Sequence, residues 1–260
     1  MRILLNKFLK YYPAFLFLIF VVALWQFCVQ KLNLPPWLLP SPTQVGEALW
    51  STKDLLWGHA RITILETTLG FFLAIILGLL TGALMTVFPI LKRTFYPFLI
   101  ISQTVPLIAI APLLLLWLGY GLLPKIIIVI LVCFFPLTIS LIQGLEATNQ
   151  DLLNLLKSMG ATKWQILLKV RWPNALPSLF AGLKIAATYS VMAAIIGEWL
   201  GASHGLGIYL TRSSNNFLTD RVFAAIIAIT ILSFFYYGVI LFITKFFLPR
   251  YSRSVEHNND

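Results

Sequence analysis

Long apolar runs, separated by short polar segments, dominate the chain. Six of these runs reach or approach the 20 or so residues that a helix needs to cross the hydrocarbon core of a bilayer. This pattern predicts an all-α integral membrane protein with six transmembrane helices. The predicted spans are residues 12–30, 64–88, 95–118, 122–143, 178–200 and 222–248.

The composition agrees with a protein that lies in a bilayer. Hydrophobic residues make up 59% of the 260 residues and charged residues only 11%, whereas soluble domains carry about 25% charged residues. We therefore expect residues 1–260 to form a single transmembrane domain.

Basic residues flank the apolar runs, and their distribution indicates the orientation of the chain. With six crossings, one side of the membrane collects twelve Lys and Arg residues and the other side six. Cytoplasmic loops carry the excess of basic residues, so both termini are expected in the cytoplasm. The twelve residues are Arg2, Lys7, Lys10, Lys92, Arg93, Lys157, Lys163, Lys169, Arg171, Lys245, Arg250 and Arg253. Because these residues flank spans instead of forming one polar face, the net charge of +10 is not expected to bind nucleic acid.

The sequence offers no catalytic or metal-binding pattern. Cys28 and Cys133 lie inside apolar runs, and the three histidines are scattered along the chain. None of the glycine patterns resembles a nucleotide-binding P-loop. We therefore predict that the chain is not an enzyme and holds no metal or cofactor.

A polar segment, residues 144–177, separates the fourth and fifth spans. Its hydrophobic periodicity predicts two short amphipathic helices hinged at Gly160, with Pro173 and Pro177 ending the second helix before the membrane resumes. The expected apolar face consists of Leu155, Leu156, Met159, Ile166, Leu167 and Val170. Such a helix pair is suited to being bound by another protein. The alternative, a hairpin that rests on lipid headgroups, explains the lysines but not the glycine hinge.

Two spans contain features that point to helix packing and to a pathway. Ala74, Gly78 and Gly82 recur every four residues in the second span, which predicts a close approach of another helix. In the third span, Pro106 and Pro112 are expected to kink the helix. Kinked helices face protein or a water-filled path, so Ser102, Gln103 and Pro106 are candidates for lining a translocation path, although local adjustment of a tolerated proline is equally compatible with the sequence.

The end of the fifth span places Glu198 among several glycines. A carboxylate at membrane depth is a functional candidate by default, which adds Glu198, Gly205 and Gly207 to the path candidates. Near the interface, however, a carboxylate that binds nearby backbone groups would serve structure equally well.

The polar segment resembles the cytoplasmic loop of permease subunits of binding-protein-dependent ABC importers. The signature of that loop is Glu-Ala-Ala, three residues, Gly, nine residues and Ile-x-Leu-Pro. Gly160, Val170 and Pro173 fit this spacing, while Asn154, Leu155 and Leu156 occupy the degenerate Glu-Ala-Ala positions. Five further stretches resemble the nitrate, sulfonate, taurine and thiamine-precursor branch in the same order: LPSPTQV, GFFLAIILGLLTG, VPLIAIAPLLLLWLGYG, GLKIAA and GEWLGASHGLG.

The resemblance implies a mechanism and a set of partners. Two permease subunits, expected here as a homodimer in membrane lipid, would form a path in the cytoplasmic (inner) membrane of a bacterium. Cytoplasmic ABC ATPase subunits would bind the coupling loop, and an extracytoplasmic solute-binding protein would deliver the solute. The residues expected to couple the ATPase are Asn154, Leu155, Leu156, Gly160, Ala161 and Pro173. A secondary transporter driven by an ion gradient is the alternative, but it needs an ion site at membrane depth.

The expected substrate is a thiamine-precursor pyrimidine or a similar heterocycle, with a sulfonate- or nitrate-type anion as the second possibility. The preference depends partly on Glu66, which is taken to lie at the outer entrance, where an acidic side chain disfavours anions.

Overall fold

The structure of the protein, a computed structural model, describes residues 2–248, with side chains from residue 12 onward. These residues form helices and connecting turns, which confirms the all-α class. The helices are α1 (Arg2–Lys31), α2 (Pro42–Ser51), α3 (Lys53–Val87), α4 (Pro89–Ser102), α5 (Leu107–Leu118), α6 (Leu122–Glu146), α7 (Gln150–Ser158), α8 (Lys163–Ile166), a π-helical turn (Leu167–Arg171), α9 (Trp172–Trp199), α10 (Leu206–Asn215) and α11 (Thr219–Phe247).

Five continuous helical stretches are long and apolar enough to cross a bilayer: Tyr12–Lys31, Lys53–Val87, Leu122–Glu146, Lys163–Trp199 and Thr219–Phe247. The pair α4 and α5 together passes the same test, which gives six spans when the pair is counted as one broken span. Part of the predicted inside–outside charge distribution lies outside the described residues, namely the side chains of Arg2, Lys7 and Lys10, and all of Arg250 and Arg253.

The third predicted span is broken instead of kinked. Helix α4 ends at Ser102, helix α5 begins at Leu107, and the two axes are bent by 101°. Pro106 precedes α5 in an extended conformation, with φ −62° and ψ 115°. Proline has no N–H to continue the ladder and disfavours helical geometry in the residue before it, so the chain turns here. Pro112, which was also expected to kink the span, lies inside α5 without ending it.

The prediction that Pro173 and Pro177 end the second amphipathic helix is wrong. The helix continues from α8 through the π-helical turn into α9, which forms one stretch from Lys163 to Trp199. In the π turn, the Trp172 N–H donates to the Leu167 carbonyl oxygen, five residues back. This wider turn shifts the hydrogen-bond register just before Pro173, where a proline would otherwise collide with the carbonyl four residues earlier. The segment therefore joins the membrane helix directly.

Helices α3, α6 and α9 pack together as the core of the protein. The small-residue face predicted on α3 lies against α6: a Cβ atom added at Gly82 would be 2.7 Å from the Leu141 Cδ2. The face extends beyond the prediction to Gly70, where an added Cβ would be 2.5 Å from the Val129 Cβ. An added Cβ at Gly78 would overlap Leu137. The close helix approach predicted from the four-residue spacing is therefore observed.

Candidate functional site

Glu198 lies at the end of α9 and is fully buried. Its Oε1 accepts a hydrogen bond from the Thr63 hydroxyl at 2.6 Å, and its Oε2 accepts one from the Gly207 N–H at 2.5 Å. The Leu206 N–H donates in turn to the Thr63 hydroxyl oxygen at 2.9 Å. Through these contacts the carboxylate joins α3 and α9 to the first turn of α10.

The glycines beside Glu198 are required by the closeness of this packing. Gly205 has φ +126°, its N–H donates to His59 Nδ1 at 3.0 Å, and an added Cβ would overlap the Glu198 carboxylate. At Gly207, an added Cβ would lie 2.7 Å from the Ile195 carbonyl oxygen. The sequence drew attention to these positions, and the structure brings them together in a closely packed junction between helices.

A buried ion pair lies in the same region. Lys125, in the first turn of α6, donates from Nζ to Glu66 Oε1 on α3 at 2.7 Å, and both side chains are buried. Sequence analysis placed Glu66 at an outer entrance and did not identify Lys125 as its partner; the placement of Glu66 is wrong. Because Glu66 is fully buried, it presents no charge to an incoming solute and gives no support to either substrate class. An acid inside an apolar span needs a partner, so the sequence could have indicated that Glu66 is paired, but not with which residue.

We call His59, Thr63, Glu66, Lys125 and Glu198, together with the backbone of Gly205–Gly207, the buried polar cluster. Among the described residues, no group of three or more His, Cys, Asp or Glu side chains is placed to hold a metal ion. Hydrogen bonds and one ion pair within the cluster connect helices α3, α6, α9 and α10.

A separate cavity of about 590 Å³ opens at the break between α4 and α5; we call it the break cavity. Its lining comes from the break itself and from α5, α6 and α9: Ser102, Gln103, Thr104, Val105, Pro106, Leu107, Ile110, Leu131, Val132, Phe135, Pro136, Ile185 and Tyr189. The lining combines hydroxyl, amide and aromatic groups and contains no charged side chain. Of the six path candidates, Ser102, Gln103 and Pro106 are in this cavity, whereas Glu198, Gly205 and Gly207 are in the buried polar cluster.

The segment between α6 and α9 forms a hairpin of α7 and α8, whose turns are set by local contacts. Asn149 caps α7, because its Oδ1 accepts from the Asp151 N–H at 2.7 Å. At the other end, Gly160 has φ +80°, and the N–H groups of Gly160 and Ala161 donate to the carbonyl oxygens of Lys157 and Leu156, both at 3.0 Å. This pair of bonds is the Schellman motif, which favours glycine at the left-handed position.

A capping box begins the second arm of the α7–α8 hairpin. The Gln165 N–H donates to the Thr162 hydroxyl, and the Thr162 N–H donates to the Gln165 side-chain oxygen at 2.8 Å. The predicted hinge at Gly160 is thus a tight turn between two capped helices.

The two apolar surfaces of the α7–α8 hairpin have different roles. Leu153, Ile166 and Leu167 are buried, and Leu167 belongs to the hydrophobic core. Leu152, Leu155 and Met159 are exposed and lie on one face of α7, three and four residues apart; we call this face the α7 stripe. The sequence placed residues of both surfaces on a single apolar face and omitted Leu153, because periodicity alone does not tell which leucines are buried in the fold.

The remaining coupling candidates lie at or near the surface of the α7–α8 hairpin. Asn154 is exposed, while Leu156 and Ala161 are half-buried, and Pro173 is exposed where the helix enters α9. An exposed apolar face on a polar loop is typical of a protein–protein contact.

Comparisons with known proteins agree that the chain is similar to membrane components of ABC transport systems. A family described as "binding-protein-dependent transport system inner membrane component" matches residues 70–253. A probable ABC transporter permease protein of Haemophilus influenzae is 37% identical over 213 residues, covering 82% of this chain and 87% of the relative. The formylaminopyrimidine transport permease protein ThiX of Halalkalibacterium halodurans is 36% identical over 235 residues, covering 90% of this chain and 94% of the relative.

The fold also has a counterpart among solved structures. An inward-facing structure of the MetNI methionine ABC transporter matches with a TM-score of 0.59 and 20% identity, covering 76% of this chain and 96% of the matched chain. At this identity, the likeness concerns the fold alone. The taurine transport system permease protein TauC of Escherichia coli, a relative by sequence, is 31% identical and covers 76% of this chain.

Proposed function

This chain belongs to the family of binding-protein-dependent transport system inner membrane components, and we propose that it is the permease subunit through which an ABC importer moves a small neutral heterocycle of the formylaminopyrimidine type. Membership in an ABC importer family decides against the alternative of a secondary transporter driven by an ion gradient. The observation that supports a neutral heterocycle as the substrate is the uncharged lining of the break cavity.

The chemistry of the break cavity suits a neutral, flat, hydrogen-bonding solute. Phe135 and Tyr189 offer aromatic faces, while Ser102 and Gln103 offer groups that can donate to and accept from ring nitrogens and carbonyls. A sulfonate or nitrate would lose water on entering this cavity without meeting a cationic side chain in its lining, which is unfavourable. The relative ThiX, named for formylaminopyrimidine transport, matches 90% of this chain, and its name supports the same substrate class.

The partners follow from the family and from the two surfaces of the protein. We propose that a solute-binding protein delivers the substrate, and that a second copy of this chain completes the path at the break cavity, where Ser102, Gln103 and Pro106 are placed. A cytoplasmic ATPase then binds the α7 stripe. Since α8 continues into α9 as one stretch of helix, a displacement of the hairpin is transmitted directly to a helix that lines the cavity.

The proposed orientation places both termini and the α7–α8 hairpin in the cytoplasm. Single cysteines can test it in a variant that lacks Cys28 and Cys133. Ser158→Cys and Ser203→Cys are suitable because Ser158 is the exposed last residue of α7 and Ser203 is exposed in the connection between α9 and α10. We expect a membrane-impermeant reagent to label Ser203→Cys in intact cells and Ser158→Cys only after permeabilisation. The reverse labelling would refute the orientation.

The substrate is tested by uptake into proteoliposomes that contain the permease, its ATPase and its binding protein. We expect uptake of labelled formylaminopyrimidine, and no uptake of taurine. Tyr189→Leu should reduce uptake about tenfold, which corresponds to the loss of roughly one aromatic contact, whereas Tyr237→Leu, on α11 and outside the cavity lining, should leave it unchanged. Uptake of taurine alone would favour the anion as substrate, and equal effects of both substitutions would contradict the role of the break cavity.

A further inference from the structure

A small basic pocket lies where the α7–α8 hairpin meets the end of α3 and the beginning of α4. Its volume is about 160 Å³. The lining residues are Thr86, Val87, Pro89, Lys157, Lys163, Ile166, Leu167 and Arg171. Three of these side chains are cationic and none is acidic, so the pocket concentrates positive charge in one concave place.

The cationic groups have no protein partner in the part of the chain that the structure describes. The two ion pairs found there are Lys92 with Glu146 and Lys125 with Glu66, and neither involves a residue of the pocket. The Arg171 Nε is buried and makes no hydrogen bond within the described residues. A buried donor without an acceptor is unfavourable, and an arginine beside two lysines is an arrangement that favours an anionic oxygen.

The volume of the pocket is sufficient for a phosphate group. One water occupies about 30 Å³ in the liquid, so 160 Å³ corresponds to roughly five waters and leaves room for one tetrahedral phosphate. Two of the apolar lining residues, Val87 and Leu167, are buried. Val87 is the last residue of a helix that crosses the membrane, which places the pocket near the lipid headgroups, where basic pockets between helices bind anionic lipids.

We propose that this basic pocket binds a phosphate-type anion, either the headgroup phosphate of an anionic lipid or free phosphate, through Arg171, Lys157 and Lys163. The bound anion bridges α7, α8 and the π-helical turn at the junction with the α3–α4 connection. It thereby fixes the angle at which the hairpin leaves the membrane domain. The site is separate from the break cavity and from the α7 stripe.

Ligand-dependent thermal unfolding of the purified full-length permease in detergent tests this proposal. The probes are short-chain phosphatidylglycerol, short-chain phosphatidylcholine as the neutral lipid, and inorganic phosphate. Arg171→Gln removes the positive charge of the half-buried arginine whose Nε lies buried without a partner. The control is Lys169→Gln, because Lys169 is an exposed cation of the same π-helical turn but does not line the pocket.

Stabilisation by phosphatidylglycerol but not by phosphatidylcholine, with about tenfold weaker binding in Arg171→Gln and normal binding in Lys169→Gln, supports a lipid headgroup. The same pattern with inorganic phosphate, and no preference between the two lipids, supports free phosphate. If Arg171→Gln does not fold, Lys157→Gln takes its place.

The proposal is overturned if neither anion stabilises the wild type, if the control loses binding equally, or if the pocket variant binds normally. A pocket variant that binds the anion normally but no longer co-purifies with the ATPase would identify the arginine as a docking contact for the ATPase instead.

Discussion

The buried polar cluster and the α7–α8 hairpin both contain glycine turns and helix caps, but they are stabilised in opposite ways. In the cluster, Thr63 and Glu198 are joined by a hydrogen bond across 135 positions of sequence. In the hairpin, the bonds that shape the turn connect residues only two to five positions apart, such as Ala161 to Leu156. The cluster is therefore a product of the tertiary fold, whereas the hairpin's turn geometry is encoded locally.

This difference matters for transport. Polar groups that are buried and mutually hydrogen-bonded tend to make a region rigid, so the cluster is suited to holding α3, α6, α9 and α10 as one unit. The hairpin exposes Leu152, Leu155 and Met159, and its shape does not depend on those three side chains. Substitutions in the cluster should affect the fold, whereas substitutions on the α7 stripe should affect the association with a partner.

The largest loss of stability is expected from Lys125→Met, which leaves Glu66 buried without its partner. Breaking a buried ion pair from one side costs about 3–5 kcal/mol, so the midpoint of thermal unfolding in detergent should fall strongly. Replacing both residues, as Glu66→Gln with Lys125→Met, should recover much of this loss, because no unpaired charge remains. Lys53→Met, at an exposed lysine, is the control. Equal unfolding midpoints for Lys125→Met and Lys53→Met would contradict the importance of the buried pair.

A smaller but clear loss is expected from Gly205→Ala in the same cluster. The alanine must adopt φ +126°, and its Cβ would overlap the Glu198 carboxylate. We expect a cost of about 2–3 kcal/mol from backbone strain and overpacking, read as a lower unfolding midpoint. Gly238→Ala on α11 is the control, since an added Cβ there meets nothing within 4 Å. If both variants unfold at the wild-type temperature, the cluster is more adaptable than its packing indicates.

The sequence predicted the hairpin better than the cluster, and the reason is the range of the contacts. Gly160, followed by the Thr162 and Gln165 of a capping box, predicts a turn from residues close together in the sequence. The Glu66–Lys125 pair depends on how α3 packs against α6, which no local pattern reveals. The break at Pro106 and the continuous helix through Pro173 show the same limit: proline marks an irregularity, but the surrounding hydrogen bonds decide whether the chain turns or adjusts by a π turn.

A modest effect on stability is expected from Gly160→Val, together with a large effect on coupling. No atom lies within 4 Å of an added Cβ at Gly160, but φ is +80°, so a β-branched residue brings about 1–2 kcal/mol of local strain. We expect the membrane domain to remain folded, while co-purification with the ATPase and substrate-stimulated ATP hydrolysis fall. Gly160→Asn is the control, because asparagine tolerates the left-handed conformation better. A valine variant that assembles and transports normally would remove the coupling role of this turn.

The smallest effect on the fold is expected from Leu155→Ser, which sharpens the comparison because it changes only an exposed surface. Leu155 is 57% exposed, whereas Leu153, two positions before it, is 1% exposed. Since α7 turns by about 100° per residue, these neighbouring leucines point to different sides. Leu155→Ser should change the free energy of unfolding by no more than about 0.5 kcal/mol, while Leu153→Ser should destabilise the packing of the hairpin by about 2–5 kcal/mol.

The two leucine variants separate a binding surface from a packing surface when unfolding and ATPase affinity are measured on the same preparations. If the α7 stripe binds the ATPase, Leu155→Ser should weaken that affinity about tenfold, as expected for an apolar contact worth roughly 1–2 kcal/mol. An α7 stripe that instead rests on lipid headgroups predicts normal ATPase affinity in Leu155→Ser and weaker association of the hairpin with the membrane. Normal affinity would therefore assign the exposed leucines to the bilayer surface and move the coupling contact to another part of the hairpin.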